Sequence, residues 1–269
     1  MNVLITGACG GLGRALADEC ARRGWNLLLT DLATGRLAAL QAGLERQYST
    51  SIAVKACDLT RADRVHELLA FIDRHELRFD MLLNVAGIDH EGGFLAVDQQ
   101  KILDIVELDV IATLRLTHSI LQRRRVGKRF YLLFVSSLAS LCPMPLKATY
   151  AASKRFLLDL SIALSQELKA QQVNVMALCP AGLATTPAAL LGIAAQGFWG
   201  QVTTCPLETM VRHSIRRLLR GCRVYIPGSL NRTLSLLGRF VPPTAASAMV
   251  YARWHSAQAK WLHVADRVK

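Results

Sequence analysis

Short apolar runs alternate with longer amphipathic stretches along most of this chain. Val3–Thr6, Asn26–Thr30, Ser51–Ala56, Met81–Val85, Phe130–Val135 and Val173–Leu178 are apolar almost throughout, and Arg223–Ile226 is a shorter seventh run. Between them lie segments with helical spacing: 14–23, 36–47, 61–75, 99–124, 149–170 and 212–223. Strands without a polar face, separated by helices, predict a parallel sheet covered on both sides. The expected fold class is therefore α/β, doubly wound, with seven parallel strands flanked by helices. No internal repeat, low-complexity tract or Pro/Gly-rich linker divides the chain. Residues 186–208, which include Pro187, Gly192, Gly197, Gly200 and Pro206, break the alternation. They read as a long irregular segment of the kind that lids a site. Its Leu190, Leu191, Ile193, Phe198 and Trp199 suit an apolar substrate, or equally packing onto the domain or a neighbouring subunit.

Composition narrows the class. A chain of 269 residues, 52% hydrophobic and 19% charged, has the makings of a buried core rather than of disorder. No apolar run reaches the ~18 residues that span a bilayer. The N-terminus enters a strand with no basic leader, so no signal peptide is expected. Seven widely spaced cysteines without a Cys-x-x-Cys pair argue against a disulfide framework or a metal site and for a reducing, cytoplasmic compartment. The net charge of +12 is uneven: residues 212–269 hold eleven Lys/Arg against one acid, Asp266. The basic character thus belongs to a C-terminal helical extension, taken as 229–269 after a main domain of 1–228. Its arginines, its apolar Leu234, Leu236, Leu237, Phe240 and Val241, and its Trp254 and Trp261 fit a helix packed on the domain or a partner subunit. They also fit attachment to an anionic membrane surface. No nucleic-acid-binding motif is present.

The chemistry-bearing positions begin with Thr6-Gly7-Ala8-Cys9-Gly10-Gly11-Leu12-Gly13, between the first strand and the first helix. Glycines there allow a tight turn and a close approach of pyrophosphate to the helix N-terminus. A strand–turn–helix context separates such a fingerprint from a plain turn. Asp31 ends the second strand, where a carboxylate can accept both adenosine ribose hydroxyls and would repel a 2′-phosphate. It can equally cap the next helix. With Leu32 and Ala33 following and Arg36 only in the next helix, NAD is favoured and NADP left open. Tyr150 and Lys154 are four apart at the start of a helical stretch and so share a face. An ammonium beside a phenol favours the phenolate, which makes tyrosine a usable acid/base. Ser137, after the fifth strand, can hydrogen-bond the same substrate oxygen.

Thr6-Gly7-x3-Gly11-x-Gly13, Asn84-Val85-Ala86-Gly87, Ser137 and Tyr150-x3-Lys154, in this order and spacing, resemble the short-chain dehydrogenase/reductase family over roughly residues 1–230. The resemblance implies a Rossmann fold, a hydride exchanged between nicotinamide and a small-molecule alcohol or ketone, and a homodimer or homotetramer. It implies Tyr150 as acid/base, Ser137 orienting the substrate oxygen and Lys154 holding the nicotinamide ribose. It also implies cofactor contacts at Gly7, Cys9, Gly10, Gly11, Leu12, Gly13, Asp31, Asp58, Leu59, Asn84, Ala86, Gly87, Tyr150, Lys154, Pro180, Leu183 and Thr185. The second Asn of the family's Asn-Asn-Ala-Gly is Val85 here, and the usual Pro-Gly is Pro180-Ala181. Asp109 falls where the family commonly has an asparagine that completes a water-mediated proton relay to the lysine. An added negative charge there weakens the lowering of the Tyr150 pKa and predicts a more alkaline optimum. A dinucleotide-binding regulatory or scaffolding protein with little turnover is the competing expectation.

Overall fold

In the computed structural model, which describes residues 1–183, 205–238 and 240–252, the strands are Asn2–Thr6 (β1), Asn26–Thr30 (β2), Ile52–Val54 (β3), Met81–Asn84 (β4), Phe130–Val135 (β5), Val173–Leu178 (β6) and Val224–Tyr225 (β7). They form one parallel sheet in the order β3-β2-β1-β4-β5-β6-β7. The expected seven-stranded doubly wound architecture is what the chain adopts.

Because strand side chains alternate, each apolar strand feeds two cores. Val3, Ile5, Leu27 and Leu29 pack on one face against helices Gly11–Arg22 (α1), Thr34–Gln47 (α2) and Leu207–Leu219 (α7). Leu4, Leu28, Leu82, Leu132 and Phe134 pack on the other against Ala62–Arg74 (α3), Thr113–Leu121 (α5) and Ala148–Glu167 (α6). Each such fully buried leucine contributes about 1.5–3 kcal/mol, so both faces are held firmly. α7 ends because Gly221 takes φ +78°, a left-handed turn that stops the helix before Arg223.

The predicted single helix over 99–124 is interrupted. Gln99–Val106 (α4) runs into a π-helical turn, Glu107–Ala112, before α5. A π turn widens the helix by one residue and is common at functional sites. This one places Asp109 fully inside the protein. After β7 the chain continues as Ser229–Gly238 (α8), and residues 243–252 are again helical.

β1 lies between β2 and β4, so the chain turns one way after β1 and the other way after β3. That reversal opens a crevice beyond the carboxyl ends of β1 and β4. Thr6 ties its two rims together: its buried Oγ1 accepts the amides of Val85 at 3.0 Å and Ala86 at 3.1 Å.

Candidate active site

The glycine turn lines the first rim. Gly7 has φ +62°, and a Cβ there would lie 2.8 Å from the Ala86 backbone. Gly13 is tighter still, since its Cβ would fall 2.1 Å from the Gly7 carbonyl oxygen. Gly10 donates to that same oxygen at 3.1 Å. α1 then starts at Gly11 with no side-chain cap. Its first-turn N–H groups, those of Gly11, Leu12 and Gly13, therefore have no intrahelical acceptor.

Asp31 faces this turn. One carboxylate oxygen accepts the Cys9 amide at 2.9 Å and the other the Leu32 amide at 2.8 Å. The helix-cap alternative for Asp31 is corrected: α2 is preceded by Ala33 and has no side-chain cap. Burial and the Asp31 charge raise the Cys9 thiol, opposed by the positive fields of Arg36 and Arg14. Asp58 makes a local turn, accepting the Thr60 amide at 3.0 Å and its hydroxyl at 2.6 Å, while Leu59 is buried in the core behind it. Asn84 is buried too: its amide donates to Thr117 of α5 at 2.9 Å, and its Oδ1 has no partner among the described residues.

The second cluster joins four elements. Ser137 caps a 3-10 turn, Leu138–Leu141, its Oγ accepting the Ala139 amide at 3.1 Å. The Pro180 carbonyl pins this turn by accepting the Leu138 amide at 2.8 Å. Tyr150 and Lys154 stand one turn apart on α6, with Lys154 Nζ 5.5 Å from the Tyr150 ring centre. That ammonium donates to the Val135 carbonyl at 3.3 Å and lies 3.1 Å from Asp109 Oδ2. Asp109 also accepts Ser153 Oγ at 2.9 Å and the Ile88 amide at 3.2 Å. The aspartate thus meets the lysine directly rather than through a water-mediated relay. Gly87 makes room for the pair: a Cβ there would lie 2.8 Å from both Asp109 Oδ1 and Lys154 Nζ. Burial pushes the Tyr150 phenol well above its ordinary range, the charges of Asp89 and Asp109 push it further, and a hydrogen bond with Ser137 opposes them.

Three neighbours of Tyr150 escaped the sequence reading. Lys147 Nζ lies 5.7 Å from the Tyr150 ring centre and ion-pairs with Asp89 and, at 3.3 Å, with Glu91. Burial disfavours its charge, but the two carboxylates outweigh burial and hold its pKa above the usual lysine value. Leu146, at φ +65°, is held in that unfavourable conformation by the Gly92 amide, which donates to its carbonyl at 2.8 Å. The signal in the sequence is slight: a lysine one turn before Tyr150, and Asp89-His90-Glu91 just after Gly87.

Leu183 packs partly buried against the α1 and α7 core face. Thr185 and residues 186–204 of the irregular segment, with its five large apolar side chains, lie outside the described residues, as do Trp254 and Trp261. All seven cysteines are free. Among the described residues, no His/Cys/Asp/Glu group could hold a metal ion, and no helix is long and apolar enough to cross a membrane.

A family model described as short chain dehydrogenase matches residues 1–191. Very-long-chain 3-oxoacyl-CoA reductases from Laccaria bicolor and Pyrenophora tritici-repentis are 31% and 32% identical, each over 64% of this chain and 52% of its own length. The chain spans about half the length of these curated relatives. Among solved structures, the bulky-bulky ketone specific alcohol dehydrogenase from Comamonas testosteroni matches with TM-score 0.73 and 25% identity, over 90% of this chain and 94% of that one. A short-chain dehydrogenase from Sphingobium yanoikuyae in complex with NADPH matches with TM-score 0.72 and 26% identity, over 90% and 96%.

Proposed function

The chain belongs to the short-chain dehydrogenase family, and from that premise we propose that it is an NAD(P)-dependent oxidoreductase interconverting an alcohol with a ketone or aldehyde. The observation that carries this reading is the convergence of Ser137, from the turn after β5, with Tyr150 and Lys154 of α6 at the mouth of the crevice. The bound dinucleotide supplies or accepts the hydride. Everything else falls to the chain's own side chains. In the reducing direction Ser137 Oγ donates a hydrogen bond to the substrate carbonyl oxygen. Tyr150 delivers its phenolic proton to the same oxygen as charge develops there, and Lys154 steadies the phenolate left behind. In the oxidising direction the phenolate takes the alcohol proton. The upward push on the Tyr150 pKa suits the donor role at neutral pH and makes oxidation gain rate as pH rises.

The residues present fit a dinucleotide. A turn closed by Gly7 and Gly13 leads into an uncapped twelve-residue helix, the arrangement that receives a pyrophosphate. Asp31 keeps a free lone pair on each oxygen for ribose hydroxyls. Arg14 and Arg36, near enough to act on Cys9, give a 2′-phosphate some attraction. We propose NAD as the preferred cofactor because the Asp31 carboxylate is fixed by two amides and cannot swing away from a phosphate. The substrate is proposed to be a bulky hydrophobic ketone or alcohol. The relatives' names support that reading, as do the apolar residues predicted for the lid. Exposed Leu103, Val106, Ile111 and Leu114 along α4 and α5 support assembly into a homo-oligomer.

The test is NADH oxidation across a panel of hydrophobic ketones, with Tyr150→Phe as control. Tyr150→Phe is expected to lower kcat by about 10²–10⁴-fold while changing the cofactor Kd far less. Cofactor binding without any Tyr150-dependent turnover would instead support a regulatory dinucleotide-binding protein.

A further inference from the structure

Among the described residues of the C-terminal extension, most large apolar side chains are exposed rather than packed on the domain. α8 touches the body of the protein at the 3-10 turn Leu138–Leu141, and only Asn231 of the helix is buried. Beyond it Leu236 is 56% exposed, Leu237 59%, Phe240 82% and Met249 69%. Leu234, Val241 and Tyr251 are exposed as well. Packing of this stretch on its own domain, one of the two expectations for it, is therefore not what the described residues do.

Charge selects what covers such a surface. From Thr209 to Ala265 there is no acidic residue, while nine Lys/Arg lie in the same stretch: five on or just after α7, Arg232 and Arg239 within 229–252, and Arg253 and Lys260 beyond it. A second copy of the chain offers little to neutralise them, since residues 1–211 carry a net charge of only +2. An apolar, acid-free, arginine-bearing helical stretch is complementary to a surface that is anionic outside and apolar just beneath. Topology gives the orientation. α8 follows β7 at the carboxyl end of the sheet, and the loop after β4 exposes Phe94 and Leu95 at that same end, where the active-site crevice opens.

We propose that residues 229–252 dock this protein on the surface of an anionic phospholipid bilayer, with the crevice turned toward the lipid. The arm lies in the interface with Leu236, Leu237 and Phe240 among the acyl-chain ends and its arginines at the headgroups. A substrate dissolved in the bilayer then reaches the crevice without crossing water.

The experiment is co-sedimentation of the full chain with vesicles of phosphatidylcholine alone and of phosphatidylcholine with phosphatidylglycerol. Sedimentation velocity on the same samples without lipid records self-association. Binding to the anionic vesicles, weak binding to the neutral ones, and a drop of at least about tenfold for Leu236→Ser/Leu237→Ser/Phe240→Ser supports the proposal. The single Phe240→Ser variant, at a largely exposed position, should show part of that drop with an unchanged thermal melt. Binding to neither vesicle overturns the proposal, and so does equal binding to both. Anionic binding that the triple variant leaves intact overturns it too, because charge alone would then suffice. Self-association abolished by the triple variant would assign the apolar face to a second copy instead.

Discussion

Replacing Asp109 by asparagine removes one negative charge from beside the acid/base pair while keeping most of the local hydrogen bonding. The amide oxygen can still accept from Ile88, and the single hydroxyl proton of Ser153, within reach of both Asp109 and the Tyr150 carbonyl at 2.9 Å, can turn to the carbonyl. Lys154 loses its ion-pair partner at 3.1 Å, so its ammonium field falls undivided on the phenol 5.5 Å from it. With the phenolate charge taken at the ring centre, Asp109 Oδ2 no more than about 9 Å from it and an effective dielectric of about 20, the removed repulsion is at least about 1.8 kcal/mol, a little over one pH unit. Since Asp109 raises the Tyr150 pKa, its neutralisation lowers it. The rising limb of the alcohol-oxidation profile, kcat/KM against pH, follows ionisation of Tyr150 and should therefore move to lower pH by about one unit in Asp109→Asn. The assay is initial-rate NADH formation across the pH range, with cofactor affinity measured in parallel. Superimposable profiles, or a shift to higher pH, would refute the electrostatic coupling of Asp109 to Tyr150.

Gly87→Ala puts a methyl group 2.8 Å from Lys154 Nζ and Asp109 Oδ1. It should lower kcat about tenfold or more while moving Tm little, because the contacts are with side-chain ends rather than backbone. Gly13→Ala meets the Gly7 carbonyl at 2.1 Å, a backbone clash. It should cost about 1–3 kcal/mol in a urea melt and weaken NAD binding in a titration. Asp31→Asn removes the charge that opposes a 2′-phosphate beside Arg14 and Arg36. The ratio of kcat/KM for NADP to that for NAD should rise by about tenfold or more, and an unchanged ratio would deny Asp31 its selecting role.

The strands were legible because parallel strands buried on both faces must be apolar throughout, which is a strong local signal. Three of them, Asn26–Thr30, Phe130–Val135 and Val173–Leu178, begin and end at the residues the pattern indicates. The π turn at Glu107–Ala112 was not legible, because one extra residue per turn leaves the apolar spacing of 99–124 almost unchanged. Its effect is nevertheless large: it sends Asp109 inward to Lys154. Nor could the pattern show that α8 is largely unburied, since an amphipathic helix reads the same whether its apolar face meets a protein core or something else.

The candidate site divides along the same line. Ser137, Tyr150 and Lys154 were visible because their spacing is fixed within one strand–helix unit. Lys147, Asp89 and Glu91 were not, because the loop after β4 reaches α6 only in three dimensions. Their presence changes the electrostatics around the phenol. Two ammonium groups approach Tyr150, yet three carboxylates, those of Asp89, Glu91 and Asp109, pair with them. The local balance is thus one negative charge, which opposes ionisation of the phenol. Asp89→Asn should then lower the Tyr150 pKa just as Asp109→Asn does, although it touches a different lysine. If the two substitutions act through the field at the phenol, their shifts in the oxidation profile add in the double variant, because neither disturbs the other's ion pair. A double variant no more shifted than either single one would mean that one of them acts by rearranging the loop instead.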